Sequence, residues 1–373
     1  MFKLPQKIIN DIARYRENLE KYLSGEIKDT FFRGIRVPWG NYSQRGGKIL
    51  MSRLRIPAGI LTVQQLKAIG EAAKYFADGK LHVTTRQDIQ IHNVPYENSI
   101  KIIEYLKDFN ISPRGGGGNT VRNITACYLS GICPYESTPD STSCGEVYKI
   151  AWGLSEYLLS LDESFNLPRK FKIAFSGCQK DCCAAGVNDV GIVALNDSFK
   201  VICGGGMGAK SAVGKVLVDS IKPEEIGYVI KSIMNVFNKY GDRKNRHHNR
   251  LRFLIEDISW EKFSQLYRQE LKKVKETEHI ALRTNNGLPQ LPEIKTDSRK
   301  YVVADLSAGL SYLSAGLSYL SSFRSLSIIC FRSEGKDFIT SVATYIKTEN
   351  CQVSAGPTIS PVSMSSFFAS SSE

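Results

Sequence analysis

Leu81-His82-Val83-Thr84-Thr85-Arg86-Gln87-Asp88-Ile89-Gln90-Ile91-His92 is the stretch on which the fold turns. Residues 81–85 and 88–92 both alternate apolar and polar side chains with period two, the pattern of two strands in close succession, each with one face on a core. Upstream, residues 49–56 alternate in the same way and stop at Pro57-Ala58-Gly59. Thr62 is a good N-cap for a helix over 63–77, whose core face is Leu66, Ile69, Ala73 and Phe76. A further helix is expected over 98–109. The order strand–helix–strand–strand–helix predicts an α+β unit with a largely antiparallel sheet and helices on one face, set at residues 35–112. Before it, residues 7–22 read as an amphipathic helix within an N-terminal helical segment, 1–34. His82 and His92, both on strands, read as packing residues.

A second unit, residues 113–276, begins at Arg114-Gly115-Gly116-Gly117-Gly118-Asn119. It is expected to hold a helix near 147–159, strands at 171–175, 190–195 and 199–202, and helices near 223–240 and 260–275. Residues 277–300 are polar and proline-bearing, as linkers are. In the tail, 301–373, Leu306-Ser307-Ala308-Gly309-Leu310-Ser311-Tyr312 is repeated at once as residues 313–319. Gly309 and Gly316 weaken any helix there, so the stretch reads as low complexity, or as the product of a recent duplication or a reading-frame change.

The chain has 373 residues and nine cysteines, with 49 Lys and Arg against 37 Asp and Glu, a net charge of +12. The length allows two or three domains, and the composition is that of a folded globular protein. No apolar run reaches the ~20 residues of a spanning helix. Asn10, Asp11 and Arg14 interrupt any secretory signal, which points to a cytoplasmic setting. The positive charge suits nucleic acid, an anionic surface or acidic small molecules. Apart from Arg243-Lys244-Asn245-Arg246-His247-His248-Asn249-Arg250-Leu251-Arg252, though, the basic residues are scattered, without a nucleic-acid module.

Four cysteines form two close pairs: Cys127 and Cys133 as C-x5-C, Cys178 and Cys182 as C-x3-C. Thiolates select zinc, copper(I) or iron–sulfur centres. Zinc sites space close pairs more tightly than C-x5-C. A [4Fe–4S] cluster takes one thiolate per corner, which two loops of two cysteines supply. Cys144, Cys203, Cys330 and Cys351 have no partner at such spacing.

At these pairs the chain resembles the sirohaem-dependent nitrite and sulfite reductases. Further segments follow the family's order: Leu54-Arg55-Ile56-Pro57-Ala58-Gly59-Ile60, similar to its "parachute" entry; residues 84–92, similar to its ferredoxin-like half-domain motif; then Val121-Arg122-Asn123, Pro134-Tyr135-Glu136-Ser137, Leu167-Pro168-Arg169-Lys170-Phe171-Lys172, Gly204-Gly205-Gly206 and Asp242-Arg243-Lys244-Asn245. The resemblance spans about residues 35–275. It implies a ferredoxin-like half-domain followed by an α+β domain that binds sirohaem and a [4Fe–4S] cluster, the two joined through the shared thiolate of Cys182.

The implied activity is the six-electron reduction of sulfite to sulfide or of nitrite to ammonium; the other reading is a non-catalytic cluster-bearing subunit or electron carrier. By motif position Arg53 and Arg122 clamp the anion, and Lys170 and Lys172 assist proton delivery. Arg86 and Arg169 hold cofactor carboxylates, with Asn119, Gly204, Gly205, Gly206 and Arg243 as further cofactor contacts. No dinucleotide fingerprint or extra ferredoxin-type cysteine run is present, so electrons are expected from an external donor protein. In the assimilatory enzymes two homologous halves in one chain enclose the sirohaem. Here one half carries both the cysteines and the Lys/Arg set, so a homodimer or a partner subunit is expected to supply the other. The anionic cofactor and substrate explain the +12 charge, leaving no role for nucleic acid or membrane.

Overall fold

The computed structural model describes residues 2–127, 130, 147–181, 183–208 and 210–284, and the backbone of 302–304, 323–332 and 340–348. The first unit opens with helices α1 (Gln6–Leu23) and α2 (Asp29–Arg36). It continues through β1 (Asn41–Ser43), β2 (Ile49–Leu54), β3 (Ile60–Thr62), α3 (Val63–Phe76), β4 (Leu81–Val83), β5 (Ile89–Pro95) and α4 (Ser99–Lys107). Its sheet has the order β1-β2-β5-β4 and is antiparallel throughout. Leu50, Leu54, Leu81, Ile89 and Ile91 face the core, where α3 and α4 pack, and the residues between them face the other way.

Thr62 caps α3 as its sequence indicates. Its Oγ1 accepts the Gln65 N–H at 3.1 Å, and Gln65 Oε1 accepts the Thr62 N–H at 3.0 Å, a reciprocal box that satisfies two otherwise orphaned donors. Gln65 Nε2 donates to Phe109 O, tying this end of α3 to the chain leaving α4.

The second unit contains β6 (Thr125–Ala126), α5 (Val147–Ser160), β7 (Ile173–Ser176), β8 (Val190–Ala194), β9 (Phe199–Cys203), β10 (Lys215–Ile221), α6 (Ile226–Tyr240), α7 (Leu251–Ile258) and α8 (Trp260–Thr277). Its sheet has the order β10-β9-β8-β7-β6. The β6–β7 and β7–β8 pairs are parallel, and the rest antiparallel. One hydrophobic core runs through both units, from Ile8 and Leu19 of α1 to Phe263 and Tyr267 of α8.

Several elements escape the sequence patterns. α2, β1, β3 and β6 are too short to show a period, and β10 is mostly exposed, so its apolar residues do not alternate cleanly with polar ones. The basic run is not uniformly solvated: Leu251, Phe253, Leu254 and Ile255 of α7 are buried, and Arg250 is buried beside them. The start of the expected linker is packed, with Ile280 buried and its N–H donated to Tyr228 Oη of α6. In the tail, β11 (Val302–Ala304), β12 (Phe323–Arg332) and β13 (Thr340–Thr348) form a sheet in the order β11-β13-β12-β3, β12 lying antiparallel to β3 of the first unit. The heptad repeat lies outside the described residues.

Candidate functional site

The expected anion-binding residues converge. Arg53 lies on β2, and Arg122 lies just ahead of β6, where its N–H is held by Phe171 O. Arg53 Nη1 and Arg122 Nη1 both donate to Gly116 O, at 3.2 and 3.1 Å, and Arg122 Nη2 donates to Gly118 O at 3.0 Å. The glycine run is what lets this loop serve both arginines. A Cβ on Gly116 would lie 2.6 Å from Arg53 O, and one on Gly117 would lie 2.1 Å from Val37 O, closer than real carbon atoms approach. Arg53 also lies over the Tyr42 ring, 5.3 Å from its centroid.

Phe171 is fully buried, in an isolated parallel bridge with Val121, so Lys170 and Lys172 on either side of it emerge on the opposite face of extended chain. Neither ammonium has a hydrogen-bond or ion-pair partner among the described residues. Burial, then Arg250, Arg122 and Arg169, lowers the Lys170 pKa to about 8. Burial, then Arg86, Arg250 and Lys170, lowers that of Lys172 to about 7. Arg169 is lowered by burial and by Arg246 and Arg250.

Two buried carboxylates organise this field. Asp189, just ahead of β8, accepts from Arg250 Nε at 3.1 Å, from Arg250 Nη2 at 2.8 Å and from the Lys172 N–H at 2.8 Å. Asp88 lies among Arg53, Arg55 and Arg86, yet burial outweighs their attraction and raises its pKa to about 6. Arg55 donates to Val121 O and Arg122 O at 2.7 and 2.8 Å, so it fixes the backbone that presents Arg122. Sequence reasoning missed Arg55, Asp88 and Asp189, and took Arg250 only as part of the basic run that follows Arg243. Alternation sets Arg55 on the face of Arg53, opposite Leu54 and Ile56, so no local pattern signals that it is buried.

Other expected contacts are placed differently. Arg86 donates to Asn188 Oδ1, Asn123 O and Ile173 O, bracing the turn between β4 and β5 against the second sheet, while its Nε is buried without a hydrogen-bond partner. The space at Gly204, Gly205 and Gly206 is filled by protein. Added Cβ atoms would lie 2.8 Å from Ile255 Cδ1, 2.3 Å from Gly186 O and 2.3 Å from Arg252 Nη1. Asn119 is exposed, and its carbonyl accepts the Leu167 N–H. Arg243 is exposed at the end of α6 and bound by Asn166 and Asn238.

Cys127 follows β6 directly, and Cys178 lies two residues past β7. Because these strands are parallel and Ala126 pairs with Phe175, the two cysteines leave the sheet at the same, C-terminal, end of their strands. Cys133 and Cys182 lie outside the described residues. Arg122, Lys170, Lys172 and Asp189 all stand at the other ends of β6, β7 and β8. The backbones of Arg122 and Cys127 are thus roughly 16 Å apart along extended chain.

Residues 42–109 match the nitrite/sulfite reductase ferredoxin-like half domain, and residues 117–275 match the nitrite and sulphite reductase 4Fe-4S domain. The chain is 29% identical to an assimilatory ferredoxin-dependent nitrite reductase of Haloferax mediterranei, over 80% of this chain and 56% of that protein. It is 26% identical to a sulfite reductase [ferredoxin] of Mycobacterium tuberculosis, over 69% of this chain and 50% of that one. The chain therefore spans about half the length of the curated relatives it matches. The fold is shared with the Mycobacterium tuberculosis NirA protein, at TM-score 0.68 and 21% identity, over 89% of this chain and 64% of that one. The family's cofactors are sirohaem and a [4Fe–4S] cluster. With both of its characteristic domains present, in order, the chain belongs to the sirohaem-dependent nitrite and sulfite reductase family.

Proposed function

We propose that the chain is one half of a reductase that takes up a small oxyanion, sulfite or nitrite, and reduces it at a sirohaem linked to a [4Fe–4S] cluster. The observation that carries this reading is the gathering of Arg53, Arg122, Lys170 and Lys172, whose two lysine ammonium groups make no ion pair among the described residues. Crowded cations of this kind are costly until an anion joins them. Sirohaem, with its eight carboxylates, and a bound oxyanion both fit that need. The Nε atoms of Arg86 and Arg122, buried without a hydrogen-bond partner, are two further donors that lack an acceptor. For the cluster, Cys127 and Cys178 offer soft donors at the same end of their strands.

When bound, sirohaem and the cluster would relay to the anion the six electrons that an external donor supplies. The chain's own residues bind and protonate. Arg53 and Arg122, fixed by Gly116 O, offer their remaining N–H groups to the oxygens of the anion. Lys172 and Lys170, with pKa values of about 7 and about 8, hold protons that can be released near neutral pH to oxygens that leave as water. Arg250 and Asp189 set the backbone of Lys172.

The cations and the cysteines stand at opposite ends of the same strands, so one sirohaem is proposed to lie between the cations of one half and the cysteines of another. That other half comes from a partner subunit or a second copy. The relatives named as ferredoxin-dependent favour an iron–sulfur protein as electron donor.

The test is anaerobic purification followed by iron analysis, absorption spectroscopy and turnover of both anions with a chemical reductant. The expected result is a sirohaem band in the assembled protein, with Lys172→Met losing turnover while the band stays. Cluster iron without a sirohaem band in every oligomeric state favours the electron carrier instead.

A further inference from the structure

Arg53, Gln90 and His82 form a row across three strands. The register sets Arg53 of β2 opposite Gln90 of β5, and Gln90 opposite His82 of β4. All three alternate with core residues, so they share the face turned away from the helices. With its amide carbonyl toward Arg53, Gln90 Oε1 accepts from Nη2 at 2.7 Å and from Nε at 3.0 Å, while its NH2 donates to His82 Nδ1 at 2.9 Å. That arrangement requires an Nδ1 without a proton. In the reversed amide, Oε1 faces His82 Nδ1 at 2.9 Å and the NH2 faces the guanidinium, donor against donor.

The geometry points to His82 as a positioning residue for Arg53, acting through the Gln90 amide. Neutral His82 with its proton on Nε2 holds the Gln90 carbonyl on the Nε–Nη2 edge of Arg53. Protonation at Nδ1 turns the amide over and releases that edge. In the held state Gln90 takes Nε and Nη2 while Gly116 O takes Nη1, and the guanidinium is aimed before any anion arrives. Gln90 is buried, so water does not easily replace the lost partner. The His92 ring of β5 lies 6.1 Å from that of His82, centroid to centroid, and Asp78, Lys80 and Arg53 are the other charged groups that act on His92. This role rests on the reading of Arg53 as an oxyanion clamp, but it is testable without sirohaem.

The full chain, labelled with 15N arginine and histidine, is followed by NMR from about pH 5 to about pH 8. The Arg53 Nε–H resonance, assigned with Arg53→Lys, is expected to be protected while His82 Nδ1 carries no proton and to vanish with the midpoint of the His82 ring shifts. His82→Asn offers an acceptor near the place of Nδ1 that does not titrate, and should keep the resonance throughout. His82→Phe should lose it throughout and bind sulfite about tenfold more weakly than His82→Asn at neutral pH, as expected for a lost hydrogen bond to a charged group. An Arg53 resonance indifferent to His82 protonation, or His82→Asn behaving as His82→Phe, overturns the proposal. Resonances that follow His82 in a protein that binds no sulfite support the positioning role and count against the oxyanion reading alone.

Discussion

Asp189 and Arg250 are joined through two hydrogen bonds, Nε to Oδ1 at 3.1 Å and Nη2 to Oδ2 at 2.8 Å, with both side chains buried. The pair links the turn before β8 to the start of α7, and Oδ2 also accepts the N–H of Lys172. Removing the charge of Asp189 leaves Arg250 buried and uncompensated beside two lysines. Asp189→Asn is expected to cost about 3–5 kcal/mol, the usual penalty for breaking a buried pair from one side. Urea unfolding measures it, and a cost below ~1 kcal/mol would contradict the burial of the pair.

Lys172 makes stability depend on pH. Its folded pKa of about 7 lies below the usual lysine value of 10.5, because burial and the neighbouring cations disfavour the charged form. Between these values the unfolded chain binds more protons than the folded one, so stability rises with pH across that window. Below pH 7 both states are charged at this residue, and its contribution to the slope vanishes. Lys172→Met should be more stable than the wild type at pH 7, with a smaller rise toward pH 10. Unfolding curves with equal slopes for the two proteins would refute the assignment.

Anion binding should draw protons into the same site. A bound sulfite or nitrite favours charged Lys170 and Lys172, so binding near pH 8 is expected to take up protons. Calorimetry in buffers of different ionisation enthalpy reads the proton count. Binding whose heat does not depend on the buffer counts against these lysines as anion partners.

The glycine loop is predicted to tolerate no side chain. At Gly117 a Cβ would stand 2.1 Å from Val37 O, and at Gly116 it would stand 2.6 Å from Arg53 O, both against backbone. Gly117→Ala should destabilise the protein by ~2 kcal/mol or more and weaken sulfite binding, since the loop carries the acceptors for Arg53 and Arg122. Thermal unfolding together with a sulfite titration tests both parts.

Cys178→Ser is expected to abolish cluster absorbance and lower bound iron in anaerobically prepared protein, while the far-ultraviolet circular dichroism of the fold persists. Unchanged iron content would remove Cys178 from the ligand set.

The amino-acid sequence by itself determined the secondary structure wherever a period was long enough to read. The strands around residues 81–92, the Thr62 cap and the helices α1, α5 and α8 follow from local pattern, because each must turn one face to a core. Its ordered motifs also singled out Arg53, Arg122, Lys170 and Lys172. What tertiary structure decided was the partner of each charge. Arg86 braces the second sheet, Gly204 to Gly206 are points of close chain approach, and Arg250 leaves a basic run to be buried on Asp189. No local pattern encodes those pairings, since they join residues as much as 102 positions apart. The same register that aligns β6 with β7 set the cysteines and the cations at opposite ends of one sheet, a separation that motif spacing does not contain.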